Sequence, residues 1–243
     1  MNDIIYHYTS VDNFLKIITG RTIWVSSVTE MNDSFESTWY EQYAKSSVAN
    51  KVVDTINYRR LNKQFHVCCF SKYSDLLSQW RGYGDSGAGV AIGFNKRKLE
   101  ARCTSLKSST IHAEIFDVIY DKREQKRFFE NVCDSIKTDD NVNNLRILPL
   151  ILKSPSFLEE GEVRLFMEVS ARTYTESGLK IKYRVVNGNI ITYTEFSFEM
   201  TDIEDIIVGP KSSLNIESAD FKQLCSTYLK LSGQVKRSQL TLR

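Results

Sequence analysis

The last third of the chain consists mostly of strand-like segments, which predicts a β-sheet as the main element of the fold. β-branched and aromatic residues dominate four runs, at residues 163–169, 179–186, 190–198 and 203–208. Asn187-Gly188 separates the second run from the third, and this dipeptide is typical of a β-hairpin turn. With 243 residues, the chain is long enough to bury a full core around such a sheet.

The first 26 residues predict a strand, a helix and a second strand. Residues 4–9 have the composition of a strand, and Ser10 is a suitable helix N-cap. The spacing of one buried helical face, i, i+3, i+4 and i+7, is found at Val11, Phe14, Leu15 and Ile18. Gly20 is expected to end the helix, and residues 22–26 form the second strand.

The remaining segments predict further helices and strands. Loosely helical sequence covers 36–62, a short helix covers 74–81, and strands cover 65–71 and 89–94. Late in the chain, a helix is expected over 218–231 and an edge strand over 239–242.

A helical insertion is predicted at about residues 121–155. Its two helices cover 123–136 and 142–152. Pro149 is expected to kink or break the second helix, and Pro155 to end the stretch. Neither a repeat nor a low-complexity linker divides the chain, so we predict one α+β domain over residues 1–243, with flanking helices and this insertion.

Composition and charge indicate a soluble cytoplasmic protein. The formal net charge of +2 is close to balance and gives no general affinity for polyanions. The first residues lack the features of a signal peptide, and no apolar run reaches the roughly 20 residues of a membrane span. The five cysteines lack framework spacing, so reduced thiols are expected. None of the three histidines stands at metal-ligand spacing, and no metal site is predicted.

The segment Gly82-Tyr83-Gly84-Asp85-Ser86-Gly87 matches the dinucleotide-binding fingerprint in its letters but not in its context. That fingerprint follows a strand and opens a helix, whereas these glycines follow a helical segment and precede a strand. We therefore interpret it as a glycine-rich turn whose backbone amides are still able to face a ligand.

Three distant segments carry polar groups next to strands. His7 ends the first strand beside Tyr8 and Thr9, where a neutral imidazole is able to bind a ribose hydroxyl. Ser71 ends another strand, and its hydroxyl needs a partner or is exposed for use. Aromatic rings that either pack in the core or stack on a nicotinamide or adenine ring are Trp80 and Tyr83.

The third segment contains two carboxylates and an arginine. In an extended chain Glu160, Glu162 and Arg164 share one face, and the arginine favours the ionised carboxylates. Such a group is either a solvated ion-pair rim or a catalytic site. In the second case, a carboxylate stabilises the oxocarbenium-like state formed as nicotinamide leaves a ribosyl carbon, and the other carboxylate orients or deprotonates an acceptor.

The sequence resembles a widespread bacterial domain family of unknown function found in mobile and defence-related neighbourhoods. The segments that carry this resemblance are Tyr6-His7-Tyr8-Thr9, Met31-Asn32-Asp33-Ser34-Phe35-Glu36, Cys69-Phe70-Ser71, Trp80 to Tyr83 with Asp85, Gly89 to Phe94, Glu160-x-Glu162-x-Arg164 and Ile206 to Pro210. That family is distantly similar to the ADP-ribosyltransferase superfamily, whose motif order is matched by His7, Ser71 and Glu162.

This second resemblance implies an ADP-ribosyltransferase-like fold with mixed and antiparallel sheets, and an enzyme with NAD as co-substrate. It implies catalytic roles for Glu162, Glu160, His7 and Ser71, and NAD contacts from His7, Tyr8, Thr9, Trp80, Tyr83 and Arg164. Asn32 and Asp33 would help to bind the acceptor, which is protein, nucleic acid or water. The alternative is a module without catalysis that senses a nucleotide or binds a partner protein in a defence or toxin system.

Overall fold

A computed structural model describes residues 3–28, 36–62, 64–106, 111–137, 143–169, 181–186, 188–229 and 235–241. The architecture is α+β, with a mixed sheet and flanking helices. The strands are β1 (Ile4–Thr9), β2 (Thr22–Ser27), β3 (Gln64–Ser71), β4 (Val90–Asn95), β5 (Ile111–Asp117), β6 (Glu162–Val169), β7 (Lys182–Val186), β8 (Asn189–Ser197), β9 (Ile203–Val208) and β10 (Val235–Arg237). The α-helices are α1 (Val11–Gly20), α2 (Ser47–Asn62), α3 (Leu77–Gly82), α4 (Lys96–Leu106), α5 (Lys122–Lys137), α6 (Asn143–Ile151) and α7 (Ala219–Leu224), the last continued by a π-helical turn to Leu229.

Strand β3 organises the sheet because it is shared by two branches. One edge of β3 pairs along its whole length with β6, which pairs in turn with β5. The other edge pairs with β1 only at Ser71 and with β2 only at His66 and Val67. The remaining order runs from β1 through β4 and β9 to β10, and from β2 through β8 to β7. The sheet therefore opens beside residues 68–70, where β1 and β2 diverge.

Three apolar clusters stabilise the described part of this sheet, the smallest of which contains Tyr6, Tyr8 and Trp80. The first lies between α1, α4, α7 and the strands, with Ile18, Phe94 and Phe196 among its fully buried side chains. The second joins α2, α5 and α6 to the face formed by β3, β5 and β6, with Val52 and Leu148 at its centre. The predicted helical insertion thus packs against the sheet through its own buried surface.

Most predicted elements are confirmed with shifts of one or two residues at their ends. Ser10 caps α1 by accepting a hydrogen bond from the backbone N–H of Asn13. Strands β7 and β8 form the expected antiparallel hairpin around Gly188, while Asn187 lies outside the described residues. The helix α4 and strand β5 have no counterpart in the sequence predictions, because α4 is rich in charge and buries only Lys96, Leu99 and Cys103.

Several local predictions are wrong. Leu15 is 47% exposed, and Ile17 replaces it on the buried face of α1. The left-handed residue that ends α1 is Arg21 rather than Gly20. Pro149 does not break α6, since the helix continues through it to Ile151.

The edge strand predicted at residues 239–242 is also wrong. The last strand is β10, which lies earlier in the chain and pairs in parallel with β9. The residues that follow it bind a loop instead, since the Ser238 hydroxyl and the Gln239 backbone N–H donate to Asp75.

Pro155 begins a 3₁₀ turn (Pro155–Glu160) capped by Ser154, because proline fits the first position of a helical turn.

Candidate functional site

A cavity of about 320 Å³ lies where β1 and β2 diverge from β3. β1, β2, β3 and the start of β6 form most of its wall, together with α1, α3 and β7. The residues that line it are Tyr6, His7, Tyr8, Thr9, Asn13, Ile17, Trp24, Ser26, Val67, Cys68, Cys69, Phe70, Gln79, Tyr83, Glu160, Glu162 and Arg184. The structure therefore brings His7, Tyr83, Glu160 and Glu162 to one cavity from three distant segments.

His7 presents one nitrogen to the backbone of β3. Its Nδ1 atom lies 3.2 Å from the carbonyl oxygen of Cys69, and the ring packs 5.7 Å from that of Phe70, centroid to centroid. Burial lowers the pKa of His7, and the positive charge of Arg184 lowers it further. The imidazole is therefore neutral at pH 7, and donation from Nδ1 to Cys69 leaves Nε2 as a hydrogen-bond acceptor.

Four charged side chains form an ion cluster that reaches the cavity through its two carboxylates: Lys153, Glu160, Glu162 and Arg164. The Arg164 guanidinium donates to both oxygens of Glu162, from Nε at 2.7 Å and from Nη2 at 2.9 Å. Lys153 Nζ lies 2.6 Å from Glu160 Oε2 and 3.0 Å from Glu162 Oε2. Lys153 and Arg164 are both buried, so these charges are held in a low-dielectric environment.

The cluster fixes the charge of Glu162. Burial on its own would raise the pKa of this carboxyl, but the charges and hydrogen bonds of Arg164 and Lys153 outweigh it and hold the pKa at about 2. Glu162 is thus ionised over the whole physiological range. A carboxylate with so low a pKa is a weak base, so Glu162 is suited to electrostatic stabilisation of a positive charge and not to proton abstraction.

The chain turns between the two glutamates, which corrects the expectation of a continuous extended segment. Glu160 ends the 3₁₀ turn, and Gly161 adopts a left-handed conformation with φ of 50°. Strand β6 begins only at Glu162. The two carboxylates still converge because Lys153 binds both of them. The predicted pairing of Glu162 with Arg164 on one face is confirmed.

Three side chains expected at the site do not line the cavity. Trp80 is fully buried, donates to Asp75 and packs edge-on against Tyr8, so neither ring face is available for stacking on a cofactor. Arg164 is also fully buried, and its Nη1 donates to the carbonyl of Leu150. It acts on the cavity through Glu162 rather than by contact with a ligand.

Ser71, the third of these, uses its hydroxyl for the backbone. The hydroxyl donates to the carbonyl of Glu160 at 2.7 Å and accepts from the backbone N–H of Tyr73. It therefore holds the turn that carries Glu160 against the end of β3. Asn32 and Asp33 lie outside the described residues.

The cavity-lining residues Tyr8, Tyr83 and Thr9 differ in their exposure and contacts. Tyr8 is buried, and its hydroxyl donates to the carbonyl of Tyr73 while accepting from the backbone N–H of Leu76. Tyr83 is 48% exposed, which leaves ring surface for a ligand. Thr9 is buried at the end of β1 and lines the cavity beside α1.

Sequence reasoning missed Lys153 and Arg184. Lys153 follows α6 and is brought to Glu162 by the packing of the insertion, so no local pattern identifies it. Arg184 lies on β7 between exposed Tyr183 and Val185. Alternation along a strand places its side chain on the opposite face but does not show what that face contacts. Within the described residues, no group of three or more His, Cys, Asp or Glu side chains is placed to hold a metal ion.

Residues 79–165 match a family described as "Protein of unknown function (DUF2971)". This region contains the end of α3, together with Tyr83, Lys153, Glu160, Glu162 and Arg164, and it leaves out His7 and Ser71. Neither a curated protein nor a solved structure matches the chain. No helix among the described residues has the length and apolar character needed to cross a membrane.

Proposed function

We propose that this protein is an NAD-consuming ADP-ribosyltransferase that transfers ADP-ribose to a macromolecular acceptor. The observation that supports the proposal is the convergence of His7 and Glu162 on one cavity, the first as a neutral imidazole and the second as an ionised carboxylate. A setting in a bacterial defence or toxin system rests on the family resemblance alone.

The dimensions of the cavity suit the nicotinamide-ribose half of NAD. Its volume of about 320 Å³ is near the lower end for small-molecule sites, which span roughly 300–1,000 Å³. His7 Nε2 accepts a hydrogen bond from a ribose hydroxyl, and Tyr83 offers an exposed ring for stacking. Glu162 then provides the negative charge near the ribosyl carbon.

The proposed reaction exchanges one bond at the ribosyl C1′ carbon. The bond from C1′ to the nicotinamide nitrogen breaks, and its electron pair neutralises the pyridinium ring, which leaves as nicotinamide. Glu162 stabilises the positive charge that develops on the ribosyl group. An acceptor oxygen or nitrogen bonds to C1′ and loses its proton to Glu160 or to water. With water as acceptor, the same chemistry is NAD hydrolysis.

Nicotinamide release tests the proposal. The wild-type protein is incubated with NAD, with and without cell lysate, beside Glu162→Gln and Glu159→Gln. We expect Glu162→Gln to lower release by at least 100-fold, because it removes the charge at C1′ while keeping the side-chain shape. Glu159→Gln is the matched control, since Glu159 is exposed one residue before Glu160.

Folding is monitored in parallel because Glu162 is buried. Thermal unfolding of each variant, with and without NAD, distinguishes loss of fold from loss of chemistry, and Glu160→Gln provides a less buried second variant. Release that requires lysate indicates a macromolecular acceptor. No release by the folded wild-type protein in either condition contradicts the proposal.

A second candidate is a nucleotide-binding module without turnover. It is favoured by the ion cluster, since Glu162 is already engaged by two buried cations. The two candidates differ in two results. A binding module is stabilised by NAD without consuming it, and in such a module Glu162→Gln leaves the biological phenotype intact.

A further inference from the structure

Arg184 brings a positive charge to the cavity without a carboxylate partner among the described residues. It extends from β7 toward β2, where its Nη2 donates to the Ser26 hydroxyl at 2.8 Å. The guanidinium carbon lies 5.6 Å from the centre of the Trp24 ring. Glu195, a carboxylate of the adjacent strand β8, is bound at 2.7 Å by Lys182 instead.

The guanidinium of Arg184 retains unused donors. Arginine has five N–H groups, and within the described residues one hydrogen bond to Ser26 is made. Its Nε is buried without a hydrogen-bond acceptor from this part of the chain. A buried donor without an acceptor is costly and uncommon, so this arrangement favours an acceptor supplied by a ligand.

The surroundings of Arg184 favour a negatively charged ligand group. Lys16 Nζ lies 5.7 Å from the centre of the same Trp24 ring, so this ring contacts two cations. The charge of Arg184 also reaches His7, whose pKa it lowers. Arg184 lines the cavity from β7, whereas the carboxylates Glu160 and Glu162 line it from the 3₁₀ turn and the start of β6.

We propose that Arg184, held beside Trp24 by Ser26, binds a phosphate group of the ligand. A planar guanidinium forms two parallel hydrogen bonds with phosphate oxygens, which makes arginine well suited to this function. The site thereby selects nucleosides that carry phosphate over nucleosides that carry none. The choice of NAD as the probe rests on the proposed function, whereas the phosphate contact requires no turnover.

Equilibrium binding of three probes tests this assignment. NAD and ADP-ribose carry a diphosphate, and nicotinamide riboside carries none. We expect Arg184→Gln to weaken NAD and ADP-ribose binding roughly 10- to 100-fold, as for loss of a charged hydrogen bond, and to change nicotinamide riboside binding by less than twofold. Arg184→Lys should retain part of the affinity because it keeps the charge.

Lys126→Gln is the matched control, because it removes one positive charge at an exposed residue of α5 that does not line the cavity. It should leave all three affinities unchanged. The assignment is overturned if Arg184→Gln weakens the three probes equally, if it weakens none of them, or if no probe binds the wild-type protein.

Turnover separates this inference from the proposed function. If ADP-ribose binding depends on Arg184 but the protein releases no nicotinamide, the phosphate assignment is supported and the transferase proposal is refuted. If Arg184→Gln releases nicotinamide with an unchanged KM for NAD, the phosphate assignment is refuted and the transferase proposal is supported.

Discussion

Glu162 shows how burial and charge act together at a single residue. It is 6% exposed, yet two buried cations keep it ionised. Burial of Glu162 rules out the solvated ion-pair rim that the sequence left open as one interpretation of this group. Replacing Glu162 by alanine would leave Lys153 and Arg164 with uncompensated charge, so glutamine is the better probe of function.

Acid stability should depend on Glu162. Its pKa lies below the ordinary value of 4.5, so its stabilising effect is complete above about pH 4.5 and is lost as the pH falls toward 2. We expect a loss on the order of 3 kcal/mol in the free energy of unfolding across this range. Urea unfolding from pH 6 to pH 2 measures it. Glu162→Gln should lack this component, and parallel curves for the two proteins would contradict the account.

Lys153→Met tests the other half of the cluster. The substitution leaves Glu160 and Glu162 close together with one fewer cation, so we expect a loss of about 3–5 kcal/mol in the free energy of unfolding at pH 7. Lys126→Met is the control, because Lys126 is exposed and pairs with Glu130 on the surface. It should change stability by less than about 0.5 kcal/mol. Equal effects of the two substitutions would show that the buried cluster contributes nothing.

At the scale of elements, the glycine-rich turn after α3 allows Trp80 to pack closely against the backbone. Its position in the fold is not that of a dinucleotide-binding fingerprint. It follows a helix and precedes β4, as the sequence predicted. Gly84 lies against Trp80, and Gly87 has a positive φ of 92°. Two aromatic residues lie on opposite sides of the end of α3: Trp80 within the helix is fully buried, whereas Tyr83, which follows the helix, is half-exposed and lines the cavity.

Two alanine substitutions in this turn should have opposite results. A Cβ atom at Gly84 would lie 2.5 Å from the Trp80 ring, and overpacking of this kind costs about 1–3 kcal/mol. At Gly82, a Cβ atom would meet nothing within 4 Å, and alanine favours the helix. Thermal unfolding should therefore show a lower Tm for Gly84→Ala and an equal or higher Tm for Gly82→Ala. A similar Tm for both variants would contradict the packing described for Trp80.

At the scale of the whole molecule, the helical insertion is joined to the sheet by polar as well as apolar contacts. The side-chain amide of Gln125 in α5 makes four hydrogen bonds. Its nitrogen donates to the backbone carbonyls of Ile119 and Lys153, and its oxygen accepts from the Trp39 and Tyr43 side chains. The carbonyl of Leu150 in α6 accepts from Arg164. The cluster beneath the cavity therefore depends on the insertion.

This integration predicts one cooperative unfolding transition. Far-UV circular dichroism reports the helices, while fluorescence reports the three tryptophans, of which Trp24 lies at the cavity and Trp39 against the insertion. The two signals should change at the same urea concentration. A separate, earlier loss of helical signal would show that the insertion is an independent domain.

Local patterns predicted most of the fold, because strand alternation, Ser10 and Gly188 are properties of short segments. They also identified His7, Glu160 and Glu162 as residues to examine. They could not identify Lys153 or Arg184, which reach the cavity only through contacts distant in sequence. Nor could they distinguish buried Trp80 from exposed Tyr83, since both residue types suit either environment.

The most direct test of the account is the imidazole NMR spectrum during titration with NAD. The chain has three histidines, and the two internal controls are His66 and His112, which lie outside the cavity. The account predicts that NAD shifts the His7 signal, assigned by its loss in His7→Gln, and leaves the signals of His66 and His112 in place. An unchanged His7 signal at saturating NAD would contradict the assignment of this cavity as the NAD site.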